Sequence, residues 1–225
     1  MVRYAVLVLT GAVATYPASA QERVIDTGTF LITREGVALG REEFTVRRGR
    51  TGVSDGFTIS VRSFYPPDRA EPVVTPQVEL RPDSQIASAH LIETAGGRRI
   101  FLQADPRRVT VRSLSASGES VRQYPSTDRL VVVDDSALAL FALPPGVAPS
   151  SVAQVWPRGP RRAVTTLSDL GMEPTAWNGE SRPLRHLVLG SGTDVRHLWY
   201  DARGRLMKVE IPAAMVVGVR APDQP

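Results

Sequence analysis

The chain has 225 residues, with 27 basic and 23 acidic side chains and no cysteine. The lack of cysteine excludes disulfides, thiol catalysis, thiolate zinc sites and a lipid attached to an N-terminal cysteine. The formal net charge is +4, and the arginine doublets are scattered between apolar segments. A nucleic-acid partner is therefore not expected, because such a surface needs one concentrated basic tract.

The first twenty residues have the order of a secretory signal peptide. Arg3 precedes an apolar run that begins at Ala5, and the stretch closes on Ala18-Ser19-Ala20. This order predicts export and cleavage after Ala20, leaving a single β-rich domain over 21–225 that is periplasmic or secreted. The apolar run is shorter than the ~20 residues of a spanning helix, and no later segment is predicted to span a membrane.

The first half of the mature chain alternates between apolar and polar residues. Thr29–Thr33 and Val37–Val46 flank a turn, which predicts a hairpin, and the next strand places Phe57, Ile59 and Val61 on one face. Further strands are predicted over Val74–Leu80, Ile86–Glu93, Arg99–Gln103, Val109–Leu114, Ser120–Tyr124 and Leu130–Val133. This period of two is typical of an antiparallel sheet with one buried face.

One helix interrupts the strands. Asp134–Leu143 is rich in alanine and leucine, Asp or Ser can cap its start, and Pro144-Pro145-Gly146 ends it. Strands then resume over Ser151–Trp156, Arg162–Ser168, Glu173–Asn178, Leu184–Leu189, Val195–Tyr200, Arg205–Ile211 and Met215–Arg220. A hairpin turn is predicted at Asp201–Gly204.

After that turn, Met207, Val209 and Ile211 share one face of their strand and are expected to point inward. The total of about fourteen strands is too many for a flat sheet. The predicted fold is mainly β: a strongly curved antiparallel sheet or unclosed β-barrel with one short helix.

The opening segment Val24–Phe30, "VIDTGTF", is similar in letters to the catalytic turn of an aspartic protease. Such an enzyme needs two aspartates that share a proton. Asp26 lies too close to the new N-terminus for a buried strand to precede it. The candidate for the second catalytic turn, Val132–Ser136, lacks the required glycine. The segment is therefore predicted to lead into the first strand, and an acid hydrolase remains an alternative.

Two of the three histidines are candidates for a metal site. If Gly190 pairs with Thr193, then His186 and His197 lie opposite each other on one face of a hairpin, close enough to share a metal. No acidic residue is evidently aimed at the pair. Histidines on a polar strand face are the alternative, and no metal or other cofactor is expected.

The large aromatic side chains are the candidate ligand-binding residues. A curved sheet can enclose an apolar ligand, and core packing is the alternative role for the same side chains. The candidates are Trp156, Trp177, Trp199, Phe57 and Phe101. No catalytic residue is assigned, because the chain has neither a nucleophile elbow nor a phosphate-binding glycine loop.

Two passages resemble a known family. "FLITREGVALGREEFTVRR" (Phe30–Arg48) and "RHLWYDARGRLMKVEIP" (Arg196–Pro212) resemble the opening and closing hairpins of uncharacterised secreted bacterial proteins of a domain-of-unknown-function family. That family is similar in pattern to the periplasmic lipoprotein carrier fold, a curved sheet with helices over its concave side. The resemblance implies an exported protein that holds a lipid or other apolar group, and it brings no catalytic residues.

The leading functional prediction is an exported, non-catalytic, β-barrel-like protein that binds an apolar or amphipathic ligand, of lipid or lipoprotein type, in the cell envelope. One alternative is an envelope scaffold or protein-partner module with a filled interior. A second alternative is a metal-dependent or aspartic hydrolase that uses His186 and His197, or Asp26.

Overall fold

The computed structural model describes residues 22–51, 54–126, 129–142, 150–159 and 162–223. The predicted signal peptide and the predicted stop at Pro144-Pro145-Gly146 lie outside the described residues. Among the residues within those ranges, no helix is long and apolar enough to cross a membrane.

Within the described residues, fifteen strands form one sheet. They are β1 (Arg23–Arg34), β2 (Val37–Thr51), β3 (Ser54–Phe64), β4 (Val74–Leu80), β5 (Ile86–Glu93), β6 (Arg99–Ala104), β7 (Arg108–Ser115), β8 (Gly118–Pro125), β9 (Arg129–Val132), β10 (Ser150–Val155), β11 (Arg162–Trp177), β12 (Glu180–Leu189), β13 (Arg196–Tyr200), β14 (Leu206–Ile211) and β15 (Val216–Arg220). Three short 3-10 helices, at Leu138–Phe141, Gly192–Asp194 and Pro212–Ala214, connect them.

The sheet consists of two meanders joined by the first and last strands. Its order is β8-β7-β6-β5-β4-β3-β2-β1-β15-β14-β13-β12-β11-β10-β9. The ladder between β1 and β15 runs from Phe30 opposite Arg220 to Arg34 opposite Val216. Only β9 and β10 pair in parallel among the described ladders. The prediction of a mainly β fold with an unclosed, largely antiparallel sheet is confirmed.

One face of the sheet, called the inner face here, carries the main core. Because side chains alternate along a strand, Phe30 and Ile32 of β1 point inward with Phe44 and Val46 of β2, while Leu31 points to the opposite, outer face. Burial of these side chains supplies most of the favourable free energy of folding, about 25 cal/mol for each Å² of apolar surface removed from water.

Two β-bulges change the strand pattern that the sequence predicts. β11 is one strand of 16 residues rather than two, because the register shift between Asp169 and Gly171 lets the ladder with β12 continue. The second bulge lies opposite the step from Trp199 to Tyr200 and turns Met207 to the outer face. Val209 and Ile211 point inward as predicted, but the inward prediction for Met207 is wrong.

Residues 137–142, called the plug here, fill the inner side of the sheet. All six are buried, with Leu138 and Phe141 fully inaccessible. The predicted helix over Asp134–Leu143 is reduced to the four-residue 3-10 helix. It starts late because Asp134 Oδ1 accepts the backbone N–H of Ser136 at 3.0 Å and the Ser136 hydroxyl at 2.6 Å, which holds these residues in a turn.

Side chains rather than a ladder bridge the open side of the sheet. β9 lies against β5, and Arg158, in the turn after β10, reaches Asp134 at 2.7 Å and Glu93 of β5 at 3.3 Å. Arg98 donates in turn to the Arg158 carbonyl at 3.1 Å. The ion pairs of Arg158 thus connect the two meanders on the open side of the sheet.

Candidate functional site

The five candidate aromatic residues do not form one site. Phe57 and Trp156 pack against the main core, whereas Phe101 is 39% exposed on the outer face and stacks on His90 with ring centroids 4.4 Å apart. Phe101 and His90 line a shallow depression of about 420 Å³ that is otherwise mostly polar. The structure brings together only Trp177 and Trp199.

Trp177 and Trp199 form a second, smaller apolar cluster with Leu184 and Met207 on the outer face. The hairpin of β11 and β12 curls over this face, so that the Trp177 indole N–H donates to the Arg220 carbonyl at 3.0 Å. Asn178, in the hairpin turn, donates to the same carbonyl at 3.2 Å. The cluster is therefore buried by the protein's own hairpin, not by a ligand.

His186 and His197 are in contact beside this cluster, with Nε2 of His186 2.8 Å from Nδ1 of His197. Their predicted register is wrong by two residues: His186 faces Trp199, and His197 faces Val188. The loop is longer than expected because the 3-10 helix Gly192–Asp194 lies between the strands. A shift of two residues keeps both imidazoles on one face, so they meet diagonally.

Charged groups surround the histidine pair. Glu173 accepts the Trp199 indole N–H at 2.7 Å, which holds the pKa of Glu173 below its usual value. His186 Nδ1 lies 3.2 Å from the same carboxylate but out of line for a hydrogen bond. Burial, followed by repulsion from His186, lowers the pKa of His197. These contacts favour a neutral His197 imidazole, which is hydrogen-bonded to His186.

This arrangement does not form a metal site. The two facing ring nitrogens are bonded to each other at a distance too short to admit an ion between them. Within the described ranges, no group of three or more histidine, aspartate or glutamate side chains could hold a metal ion.

The aspartates considered for acid hydrolysis lie in separate ion pairs. Asp26 makes a two-pronged pair with Arg220, with distances of 2.7 and 2.9 Å. Asp134 pairs with Arg158, and Asp135 with Arg196 at 2.6 Å. These carboxylates do not meet, and a guanidinium occupies each of them. The geometry therefore lacks the shared proton of an aspartic dyad.

A buried carboxylate fastens the plug to the sheet. Glu42 of β2 accepts the backbone N–H groups of Leu138 and Ala139, both at 2.9 Å, and the Tyr65 hydroxyl at 3.0 Å. Burial raises the pKa of Glu42 to about 7, although the two backbone hydrogen bonds oppose the shift. The plug is thus held by specific polar contacts as well as by apolar packing.

The inner side retains little open space next to the plug. An apolar cavity lies between β9 and the inner face of β3 to β5, bounded by Ile59, Val78, Leu130 and the plug residue Leu140. Its open volume is about 20 Å³, against the roughly 300 Å³ or more of a typical small-molecule site. An acyl chain does not fit there as the plug stands.

An open groove of about 1150 Å³ runs along β1 and is called the β1 groove here. It is lined by β1, by side chains of β2 and β3 that point outward except for Phe44, by the turn before β14 and by Ala221–Asp223. Val24, Ile25 and Leu31 contribute exposed apolar surface, with 51%, 40% and 51% of each residue accessible. Both apolar and polar groups are thus available to a ligand.

Of the residues that the structure describes, five arginines and three acidic residues line the β1 groove. The arginines are Arg47, Arg62, Arg203, Arg205 and Arg220, and the acidic residues are Asp26, Glu43 and Asp223. Arg205 draws the pKa of Asp223 down by a direct hydrogen bond, so this acid stays ionised, yet the arginines outnumber the acids by two. The groove therefore combines apolar surface with an excess of positive charge.

In comparisons with known proteins, no family model, curated protein or solved structure matches the chain.

Sequence reasoning did not identify the β1 groove. Its residues come from both ends of the chain, and they meet only because β1 pairs with β15. Arg47 belongs to a doublet that the sequence suggests is a solvated strand end. The available signal is Leu31, an apolar residue on the polar side of a strand whose other side holds Phe30 and Ile32.

Proposed function

We propose that this protein is a non-catalytic binding protein of the cell envelope whose ligand is amphipathic and lies in the β1 groove. The proposal rests on one observation: a single open groove combines accessible Val24, Ile25 and Leu31 with several guanidinium groups. Monomeric proteins expose single apolar residues routinely, whereas grouped ones beside charged side chains are typical of a binding surface.

The location in the envelope rests on the predicted signal peptide, and the ligand class agrees with the resemblance to a secreted family that is similar in pattern to the lipoprotein carrier fold. Both remain predictions. The proposal differs from that family in the position of the ligand, because the plug fills the inner side where a carrier would hold its lipid.

The test is the binding of a fluorescent lysophosphatidylcholine, which has an acyl chain and no net charge. We expect saturable binding to the purified protein and a loss of about tenfold or more in affinity for Leu31→Glu, because a carboxylate would replace apolar contact surface. Val121→Glu is the matched control, since Val121 of β8 is 54% exposed and lies outside the groove.

Native mass spectrometry of protein purified from its host complements this titration. Bound lipid in wild type that is reduced in Leu31→Glu would support the proposal. No bound lipid, together with no uptake of the probe, would contradict it. Equal weakening by Leu31→Glu and Val121→Glu would place the ligand elsewhere.

A second candidate function is an envelope scaffold or protein-partner module. The filled inner side favours it, because the main core of such a module needs no space for a ligand. A photo-crosslinking residue at position 31 distinguishes the two functions in the host. Adducts with the mass of a lipid support the binding protein, and a single protein adduct supports the partner module.

A further inference from the structure

We propose that the polar end of this ligand is an anion, a phosphate or carboxylate head group bound by the guanidinium groups of Arg47 and Arg203 in the β1 groove. The inference rests on the proposed function and adds the chemistry of the head group. Its basis is the distribution of ion pairs within the groove.

Three of the five groove arginines already have carboxylate partners. Arg62 lies 3.2 Å from Glu43, Arg205 lies 3.1 Å from Asp223, and Arg220 lies 2.7 Å from Asp26. Glu43 is shared between Arg62 and Arg41, and Arg205 also pairs with Asp201, so all three guanidinium groups already contact a carboxylate. The acidic residues that line the groove are thereby all engaged.

Arg47 and Arg203 have no such partner among the described residues. Arg47 is half-buried on the outward side of β2, and Arg203 is exposed in the turn between β13 and β14. Two guanidinium groups without a counter-charge in one groove repel each other and attract an anion. Arg47 and Arg203 are therefore the two arginines by which the basic residues of the groove outnumber its acidic residues.

The turn that carries Arg203 is held rigidly. Asp201 accepts the backbone N–H groups of Arg203 and Arg205, both at 2.9 Å, and its other oxygen pairs with the Arg205 side chain at 2.8 Å. Gly204 supplies the left-handed backbone that closes the turn. A fixed backbone lowers the entropy cost of placing the Arg203 guanidinium on a ligand.

The chemistry of the two side chains selects the head group. A guanidinium presents parallel N–H donors that match two oxygens of a phosphate or carboxylate. A phosphate monoester dianion would balance both uncompensated arginines. The accessible Val24, Ile25 and Leu31 then take the attached chain, so the anion is expected as part of an amphiphile rather than free.

Calorimetric titration with three probes tests this assignment. The probes are dodecyl phosphate, dodecyl maltoside and inorganic phosphate, each used at low ionic strength and below the concentration at which the amphiphiles form micelles. We expect dodecyl phosphate to bind about tenfold or more tightly than dodecyl maltoside, because charge-assisted hydrogen bonds add to the chain contacts. Added salt is expected to reduce this preference.

The double variant Arg47→Gln/Arg203→Gln is expected to bind both amphiphiles equally. Arg99→Gln/Arg107→Gln is the matched control, because both residues are exposed, lie outside the groove and have no ion pair among the described residues. The control removes the same net charge and is expected to keep the preference. The comparison of probes on wild type does not depend on the folding of any variant.

The outcomes separate this inference from the proposed function. Equal binding of the two amphiphiles by wild type overturns the anionic head group and leaves the amphipathic ligand standing. Inorganic phosphate that binds as tightly as dodecyl phosphate overturns the amphiphile as the source of the anion, and with it the proposed function. Loss of preference in the control overturns the assignment to Arg47 and Arg203.

Discussion

Glu42 is fully buried, and its two carboxylate oxygens accept hydrogen bonds from consecutive backbone amides of the plug. The position corresponds to the N-terminus of a short helix, where unpaired N–H groups favour an anion. Desolvation opposes that preference and is the larger effect, because the pKa of Glu42 rises from 4.5 to about 7. This single side chain thus links the attachment of the plug to pH.

The sign of the effect on stability follows from linkage. Between pH 4.5 and about 7 the folded protein holds the proton on Glu42, whereas the unfolded chain does not. The contribution of Glu42 to the free energy of unfolding is therefore complete below pH 4.5. It is lost as the pH rises towards 7, by about 3 kcal/mol in total.

Urea unfolding of wild type and Glu42→Gln between pH 4.5 and 8 measures this contribution. The difference between the two free energies is expected to change with pH in favour of the variant as the pH rises. Other groups, including His197, titrate equally in both proteins and cancel. A difference that does not depend on pH would contradict the raised pKa.

His197 offers a second prediction at the residue scale. Burial is the largest cause of its lowered pKa, but Glu173 raises the pKa and Lys208 lowers it. In an NMR titration, Glu173→Gln is expected to lower the His197 midpoint further, and Lys208→Met to raise it. An unchanged midpoint in both variants would show that burial alone controls the pKa of this imidazole.

At the scale of elements, the plug and β15 are packed tightly against each other. A Cβ atom added at Gly218 would lie 2.8 Å from Cδ1 of Leu138, which is closer than such atoms can approach. Gly218→Ala alone is therefore expected to lower the free energy of unfolding. Leu138→Ala alone should lower it by about 2 to 5 kcal/mol, because it leaves a cavity in a fully buried site.

The double variant Gly218→Ala/Leu138→Ala is expected to be more stable than the sum of the two single effects predicts. The smaller side chain at 138 removes the clash, and the new methyl group fills part of the cavity. Denaturant unfolding of all four proteins gives the coupling energy. Leu170→Ala, at a residue that is 62% exposed, is the control and should change little. Strict additivity would contradict this contact.

The alternation of apolar and polar residues was enough to predict most strands, because one buried face imposes a period of two. The bulges at Gly171 and Met207 were not predictable, since one extra residue leaves the local pattern almost unchanged and is stabilised by the neighbouring strand. The plug shows a different limit. Its alanines and leucines favour a helix, but Asp134 and the distant Glu42 hold the residues in a turn and a 3-10 helix.

At the scale of the whole molecule, the ladder between β1 and β15 joins the two meanders, and Arg220 lies beside it. Arg220 is 2% exposed, pairs with Asp26 across 194 residues of chain and donates to the Thr27 carbonyl. Curvature of the sheet was predictable from the number of strands. The meeting of the two ends was not, because no local pattern encodes it, and so the β1 groove could not be predicted either.

Asp26→Asn is expected to lower the free energy of unfolding by about 3 kcal/mol, because it leaves the Arg220 charge buried without its main partner. Glu119→Gln is the control, since the pair of Glu119 with Arg112 is also two-pronged but exposed, and its loss should lower the stability much less. Thermal or urea unfolding measures both. Equal losses in the free energy of unfolding would show that the buried pair at the β1–β15 junction contributes no more to stability than an exposed pair.

The pairing of the first strand with the last has a consequence for biogenesis. Until Val216–Arg220 has been synthesised, one side of β1 has no ladder partner, so the sheet cannot be completed before that segment emerges. A circular permutant in which β15 is joined directly to β1, with a new opening elsewhere, would turn this long-range pairing into a local hairpin. Such a chain would have a lower contact order and reach its native state sooner.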